Sequence, residues 1–130
     1  MKKISIITPV YNEEQNIETI ITATQNVLES LSHLDYEHIF IDNNSKDRTK
    51  DILRDLAKEN KKIKVIFNTK NFGYIRSSYY GVLQGTGDAI ILMSADMQDP
   101  PELIREFIKQ WESGKNIILG QKINSTENFI

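Results

Sequence analysis

The 130-residue chain contains no cysteine. That excludes a disulfide framework and any metal site built on thiolates, and it leaves the redox compartment undetermined. Histidine is nearly absent too. His33 and His38 are the only two; they lie in no cluster and read as structural. No apolar stretch approaches the roughly 18 residues of a membrane-spanning helix. The run Ile4 to Val10 after Met1-Lys2-Lys3 is broken by Ser5, Thr8 and Pro9 and leads into Glu13 and Glu14. It is too short and too polar for a secretory signal, so a first core strand and a cytoplasmic location are expected. Charge of one sign is also lacking. A net charge of −2 gives no bulk attraction to nucleic acid or acidic lipid, and no nucleic-acid partner is expected. Repeats, linkers and low-complexity tracts are missing. What remains, 39% apolar and 26% charged residues, is ordinary for one soluble globular domain spanning residues 1–130.

Strand and helix signals alternate along that domain. Lys3 to Thr8 reads as a strand, and a helix follows from Asn12, a candidate cap with Gln15 three residues on. His38 to Asp42 is a second strand and Asp47 to Lys58 a second helix. Lys64 to Phe67 is a third strand, Gly73 to Gln84 a third helix. The unbroken apolar run Ala89 to Met93 is the kind of strand that is buried on both faces. After it, Leu103, Ile104, Phe107, Ile108 and Trp111 recur at the helical period. Asn116 to Leu119 predicts a fifth strand, and the polar residues from Gln121 onward show no period. Such alternation predicts an α/β fold of three layers, a mostly parallel sheet with helices on both faces.

In open parallel sheets ligands bind beyond the carboxyl ends of the strands. Three polar loops fall there: Pro9-Val10-Tyr11-Asn12-Glu13-Glu14, Asp42-Asn43-Asn44-Ser45-Lys46-Asp47, and Ser94-Ala95-Asp96-Met97-Gln98-Asp99-Pro100-Pro101-Glu102. Several of these residues suit helix starts, with Asn44 or Ser45 capping the second helix. Asp99, Pro100 and Glu102 form the pattern of a capped first turn. Asp42 and Asp96 differ, since they end buried strands and are not needed as caps. An isolated carboxylate there is costly unless a cation or donors meet it. A nucleoside diphosphate held with Mg2+ or Mn2+ fits this chemistry, because these ions take oxygen ligands from one or two protein groups and from phosphates. Asp96 and the amide oxygen of Gln98 supply such a partial shell. Asp42 can accept a hydrogen bond from a base or ribose, Tyr11 offers a ring face, and Asn71-Phe72-Gly73 opens a helix where an anion can approach the backbone. Lys70 and Arg76 can add positive charge there or serve as solvated surface groups.

Taken in order, these motifs resemble those of the inverting nucleotide-sugar glycosyltransferases of GT-A fold, and among them the polyprenyl-phosphate branch that includes dolichol-phosphate mannose synthase. The Asp96-Met97-Gln98-Asp99-Pro100-Pro101-Glu102 string carries most of the specificity. The resemblance implies a Rossmann-like nucleotide-binding half of the fold. It implies that Pro9, Tyr11 and Glu13 line the nucleotide pocket with Asn71 and Gly73, and that Asp42 contacts base or ribose. Ala95 and Asp96 sit against ribose and diphosphate. Asp96 and Gln98 hold the metal, which makes Asp96 the implied catalytic residue. The implied donor is a UDP- or GDP-sugar, and the acceptor a lipid phosphate at the inner face of the cell membrane.

Two features depart from the pattern. Ser94 stands where an Asp-x-Asp motif has its first carboxylate, which shifts more of a metal's shell onto Gln98 and phosphates. The chain is also shorter than such catalytic domains, which predicts truncation at the C-terminus, an exposed apolar face and a tendency to form homo-oligomers. Two other readings stand beside the transferase. One is a nucleotide-sugar-binding module without activity. The other is a receiver-like signalling domain, in which Asp42 and Lys122 mimic the phosphorylated aspartate and its lysine.

Overall fold

The computed structural model describes residues 1–96 and 98–121. Four strands form one sheet in the order β3-β2-β1-β4: β1 Lys2–Val10, β2 Leu34–Asp42, β3 Ile63–Phe67 and β4 Ala89–Leu92. All three pairings are parallel, with Val10 opposite Asp42, Ile6 opposite Ile91 and Asp42 opposite Phe67. The helices are α1 Ile17–Glu29, α2 Thr49–Glu59, α3 Tyr74–Gln84 and α4 Leu103–Glu112. Period-2 alternation divides the core. Ile4, Ile6, Tyr36, Phe40, Ile63, Ile91 and Met93 join α1, α2 and α4 on one face of the sheet. On the other face Ile7, Ile39, Ile41 and Ile66 form a smaller cluster, covered by α3. The fold is therefore the expected three-layer α/β arrangement.

The element boundaries differ from the expected ones for identifiable reasons. Helix α1 starts at Ile17, not Asn12. Asn12 has φ 51°, in the left-handed region that asparagine tolerates better than most residues, and its amide oxygen accepts the Lys46 N–H at 2.8 Å. Helix α2 starts at Thr49 with neither Asn44 nor Ser45 as its cap. The first turn of α4 closes on backbone carbonyls instead, Leu103 N–H to Pro100 and Ile104 N–H to Pro101. The Asp99–Glu102 capping box is not formed, and no side chain caps the helix. Asn116–Leu119 is irregular rather than a fifth strand. A strand needs a partner, and among the described residues β4 pairs only with β1. Lys122 and most of the polar tail lie outside the described residues.

Candidate functional site at the carboxyl edge of the sheet

Because every strand is parallel, the loops after β1, β2, β3 and β4 all leave at one edge. Strands β2 and β4 flank β1. At the usual strand spacing they stand about 10 Å apart, close enough for one small ligand to span them.

The first two loops are fastened to each other by five hydrogen bonds that each use a side-chain acceptor. Asn12 N–H donates to Ser45 Oγ at 2.9 Å, and Lys46 N–H donates back to Asn12 Oδ1. Glu13 N–H donates to Thr49 Oγ1 at 2.9 Å, Glu14 N–H to Asp47 Oδ2 at 3.2 Å, and Arg48 N–H to Glu14 Oε2 at 2.9 Å. Burial pushes the Asp47 carboxyl up, but bonds from the Thr49 hydroxyl and N–H and from the Glu14 N–H outweigh it. They hold Asp47 below the usual carboxylate range. Much of the polar run after β2 therefore positions the loop after β1. Tyr11 is half-exposed on it, and Pro9 is buried beneath it. Glu13 accepts from the Asn16 side chain.

Asp42 and Asp96 share this edge but not the same surface. Asp42 is fully buried; one carboxylate oxygen accepts the Ser45 N–H at 3.1 Å and the other has no hydrogen-bond partner among the described residues. It supports the loop from below. Its neighbour Asn43 ties the edge together: its amide oxygen accepts the Ser77 hydroxyl at 2.5 Å, the Asn68 amide at 3.1 Å and the Phe72 N–H at 3.4 Å. Asn43 is not among the residues the sequence singles out; its one signal is its place as a second polar residue after a buried strand, next to a carboxylate. Asn71 caps the turn into α3, its amide oxygen accepting the Gly73 N–H at 2.8 Å. Gly73 itself has φ 83°, which favours glycine.

Asp96 is exposed. Its Oδ1 accepts the Ser94 hydroxyl at 2.9 Å and the Gln98 N–H at 3.1 Å, so the turn holds the carboxylate at the edge. Ala95 is buried beneath it. A concavity of about 250 Å³ lies on the β4 flank between Met93, Gln98, Asp99 and Leu103. A larger one of about 620 Å³ lies farther along β4, between Ile90, Phe107, Trp111 and Leu119. Neither includes Asp42. Among the described residues no three His, Cys, Asp or Glu side chains cluster to hold a metal. The donors present are one exposed carboxylate and one amide. Hard oxygen donors of these kinds could hold a divalent ion only with further ligands from phosphates and water.

Residues 5–129 match the sequence profile of glycosyl transferase family 2. The chain belongs to that family. It is 38% identical over 116 residues to an uncharacterized glycosyltransferase of Synechocystis, covering 89% of this chain and 36% of that protein. It is 37% identical to a prophage bactoprenol glucosyl transferase homolog of Escherichia coli (92% and 39% covered). To a dolichol-phosphate mannosyltransferase of Pyrococcus furiosus it is 34% identical (92% and 33% covered). The chain thus spans between a third and two-fifths of the length of these curated relatives. Glucosyl-3-phosphoglycerate synthase of Mycobacterium tuberculosis superposes with TM-score 0.64 at 22% identity, covering 89% of this chain and 41% of that one. A mannosyltransferase of Pyrobaculum calidifontis, solved with GDP-Man and Mn2+, superposes with TM-score 0.56 at 22% identity (73% and 28% covered). The fold is that of the GT-A glycosyltransferases, and family membership removes the receiver-like reading.

Proposed function

We propose that this chain is the donor-binding part of an inverting glycosyltransferase that moves a sugar from a UDP- or GDP-sugar to a polyprenyl phosphate at a membrane surface. The observation that carries the reading is the exposed Asp96 carboxylate, held by Ser94 and the Gln98 N–H at the edge where parallel sheets bind ligands. The names of the bactoprenol and dolichol-phosphate relatives support a lipid-phosphate acceptor. In this reading Asp96 and Gln98 hold a divalent metal together with the donor's phosphates. When bound, that metal supplies charge neutralisation for the departing nucleoside diphosphate. Tyr11 and Glu13 line the nucleotide pocket on a loop kept in place by Ser45 and Thr49. Asn71 and Gly73 shape the turn beside it, and Asn43 anchors that turn from within. A phosphate acceptor is already anionic and needs little help from a general base.

Calorimetric titration with UDP and GDP, with and without Mn2+, tests this. Manganese-dependent binding that disappears in Asp96→Ala supports the proposal. Binding of neither nucleotide, or binding unaffected by that substitution, overturns the assignment of Asp96.

A further inference from the structure

Helix α3 is built inside out. A surface helix normally turns its apolar residues to the core, yet here the residues against the sheet are Ser77, Ser78 and Gly81. Gly81 sits so close that a Cβ there would lie 2.4 Å from Ile7 Cγ2. Ile75, Tyr79 and Leu83, spaced by four and so on one face, are 81%, 68% and 61% exposed, with Tyr74 and Tyr80 half-exposed beside them. The helix needs none of this apolar surface for its own packing. Charge supplies a second observation. No carboxylate occurs between Glu59 and Asp88 in a chain with 18 of them. Lys70 and Arg76, at the site end of the helix, have no carboxylate partner among the described residues. Lys70 lies 5.0 Å from the Phe72 ring.

We propose that the outer face of α3 docks on an anionic lipid bilayer, with Ile75, Tyr79 and Leu83 in the headgroup region and Lys70 and Arg76 toward lipid phosphates. An aromatic and aliphatic stripe bordered by cations is the pattern of a helix lying in a membrane interface, and tyrosine suits that boundary because one end is apolar and the other wet. The net charge of the chain gives no such attraction; the complementarity is local to this helix. The inference rests on the lipid-phosphate reading for the source of the surface and deepens it, because α3 starts beside Asn43 at the candidate site. A bilayer on α3 would present an acceptor headgroup to that same edge.

Flotation of the full 130-residue chain with phosphatidylglycerol–phosphatidylcholine vesicles and with phosphatidylcholine alone tests it. The comparison variant is Ile75→Gln/Tyr79→Gln/Leu83→Gln; glutamine keeps helix propensity and all three sites are exposed. The expected result is partitioning to anionic vesicles, weakened about tenfold or more in the variant, with Mn2+-dependent nucleotide binding unchanged. Absence of binding by the native chain, equal binding to both vesicle types, or an unaffected variant overturns the proposal. So does self-association abolished by the substitutions without vesicle binding, which would assign the face to a second copy. Nucleotide titration of the same samples separates failure here from failure of the donor-site reading.

Discussion

The Ser94 hydroxyl donates to Asp96 Oδ1 across 2.9 Å. In the proposed reading, where Ser94 stands at the first position of an Asp-x-Asp pattern, the hydroxyl there serves the carboxylate at the third. A second acid at position 94 would repel Asp96 unless a cation lay between them; a hydroxyl positions it with or without one. Ser94→Ala is expected to leave the fold intact and to weaken Mn2+-dependent nucleotide binding by about 1 kcal/mol, the usual worth of one hydrogen bond. Titration calorimetry reads this directly. An unchanged affinity would show that the serine does not position Asp96 for the metal.

The latch between the first two loops gives a stability prediction. Ser45 Oγ and Thr49 Oγ1 accept the Asn12 and Glu13 N–H groups, and both side chains are buried. Ser45→Ala and Thr49→Ala each remove the partner of a backbone donor and are expected to cost about 0.5–1.5 kcal/mol. The double variant should cost less than the sum, since the two bonds restrain one loop and are coupled. Urea unfolding of the three variants checks both statements.

How much of this was legible beforehand follows from the range of the forces involved. Seven buried positions of β1 and the period of α1 announce themselves because burial alone selects such patterns. Asn12 does not, because its left-handed backbone and its bond to Lys46 depend on a loop more than thirty residues away. Asp99-Pro100-Pro101-Glu102 has the composition of a capping box, yet the turn closes on carbonyls instead. Asn-Ile-Ile-Leu at 116–119 has strand propensity but no strand to pair with among the described residues. Asp42 reads in the sequence as a contact to base or ribose because it ends a buried strand. Its complete burial, and the part played by Asn43, depend on how the next two loops fold over them.

Close packing of α3 on the sheet leaves no room for a side chain at Gly81. The Cβ of an alanine would lie 2.4 Å from Ile7 Cγ2 and 3.1 Å from Ile41 Cγ1. Both belong to buried β-branched side chains that have little room to turn aside. Alanine is the better helix former by about 1 kcal/mol, so propensity alone would predict stabilisation. Overpacking should win, and Gly81→Ala is expected to destabilise by about 1–3 kcal/mol, with α3 displaced from β1 and β2. A rise in the thermal midpoint would show that the helix can lift at little cost.

Two buried ionisable groups on β2 predict loss of stability in acid. Burial holds His38 neutral, its pKa pushed down to about 3, while Nε2 shares a hydrogen bond with Thr8 Oγ1 at 2.8 Å and the ring stacks on Phe40. Burial also pushes the Glu37 carboxyl up. Lys64, the Ser5 hydroxyl and the Thr86 hydroxyl and N–H outweigh it and hold the group well below its ordinary range. In both cases the unfolded chain binds the proton and the folded one does not. Stability is therefore full above the unfolded pKa values, near 6.5 for the histidine and 4.5 for the glutamate. It falls in two stages as pH drops through them. Thermal midpoints measured from pH 7.5 down to pH 4 should begin to decline near pH 6.5 and steepen below 4.5. His38→Asn should lower the midpoint at neutral pH, through lost packing, yet remove the first stage of the decline. If the variant keeps the same slope between pH 6.5 and 5, His38 is not the group that titrates on unfolding.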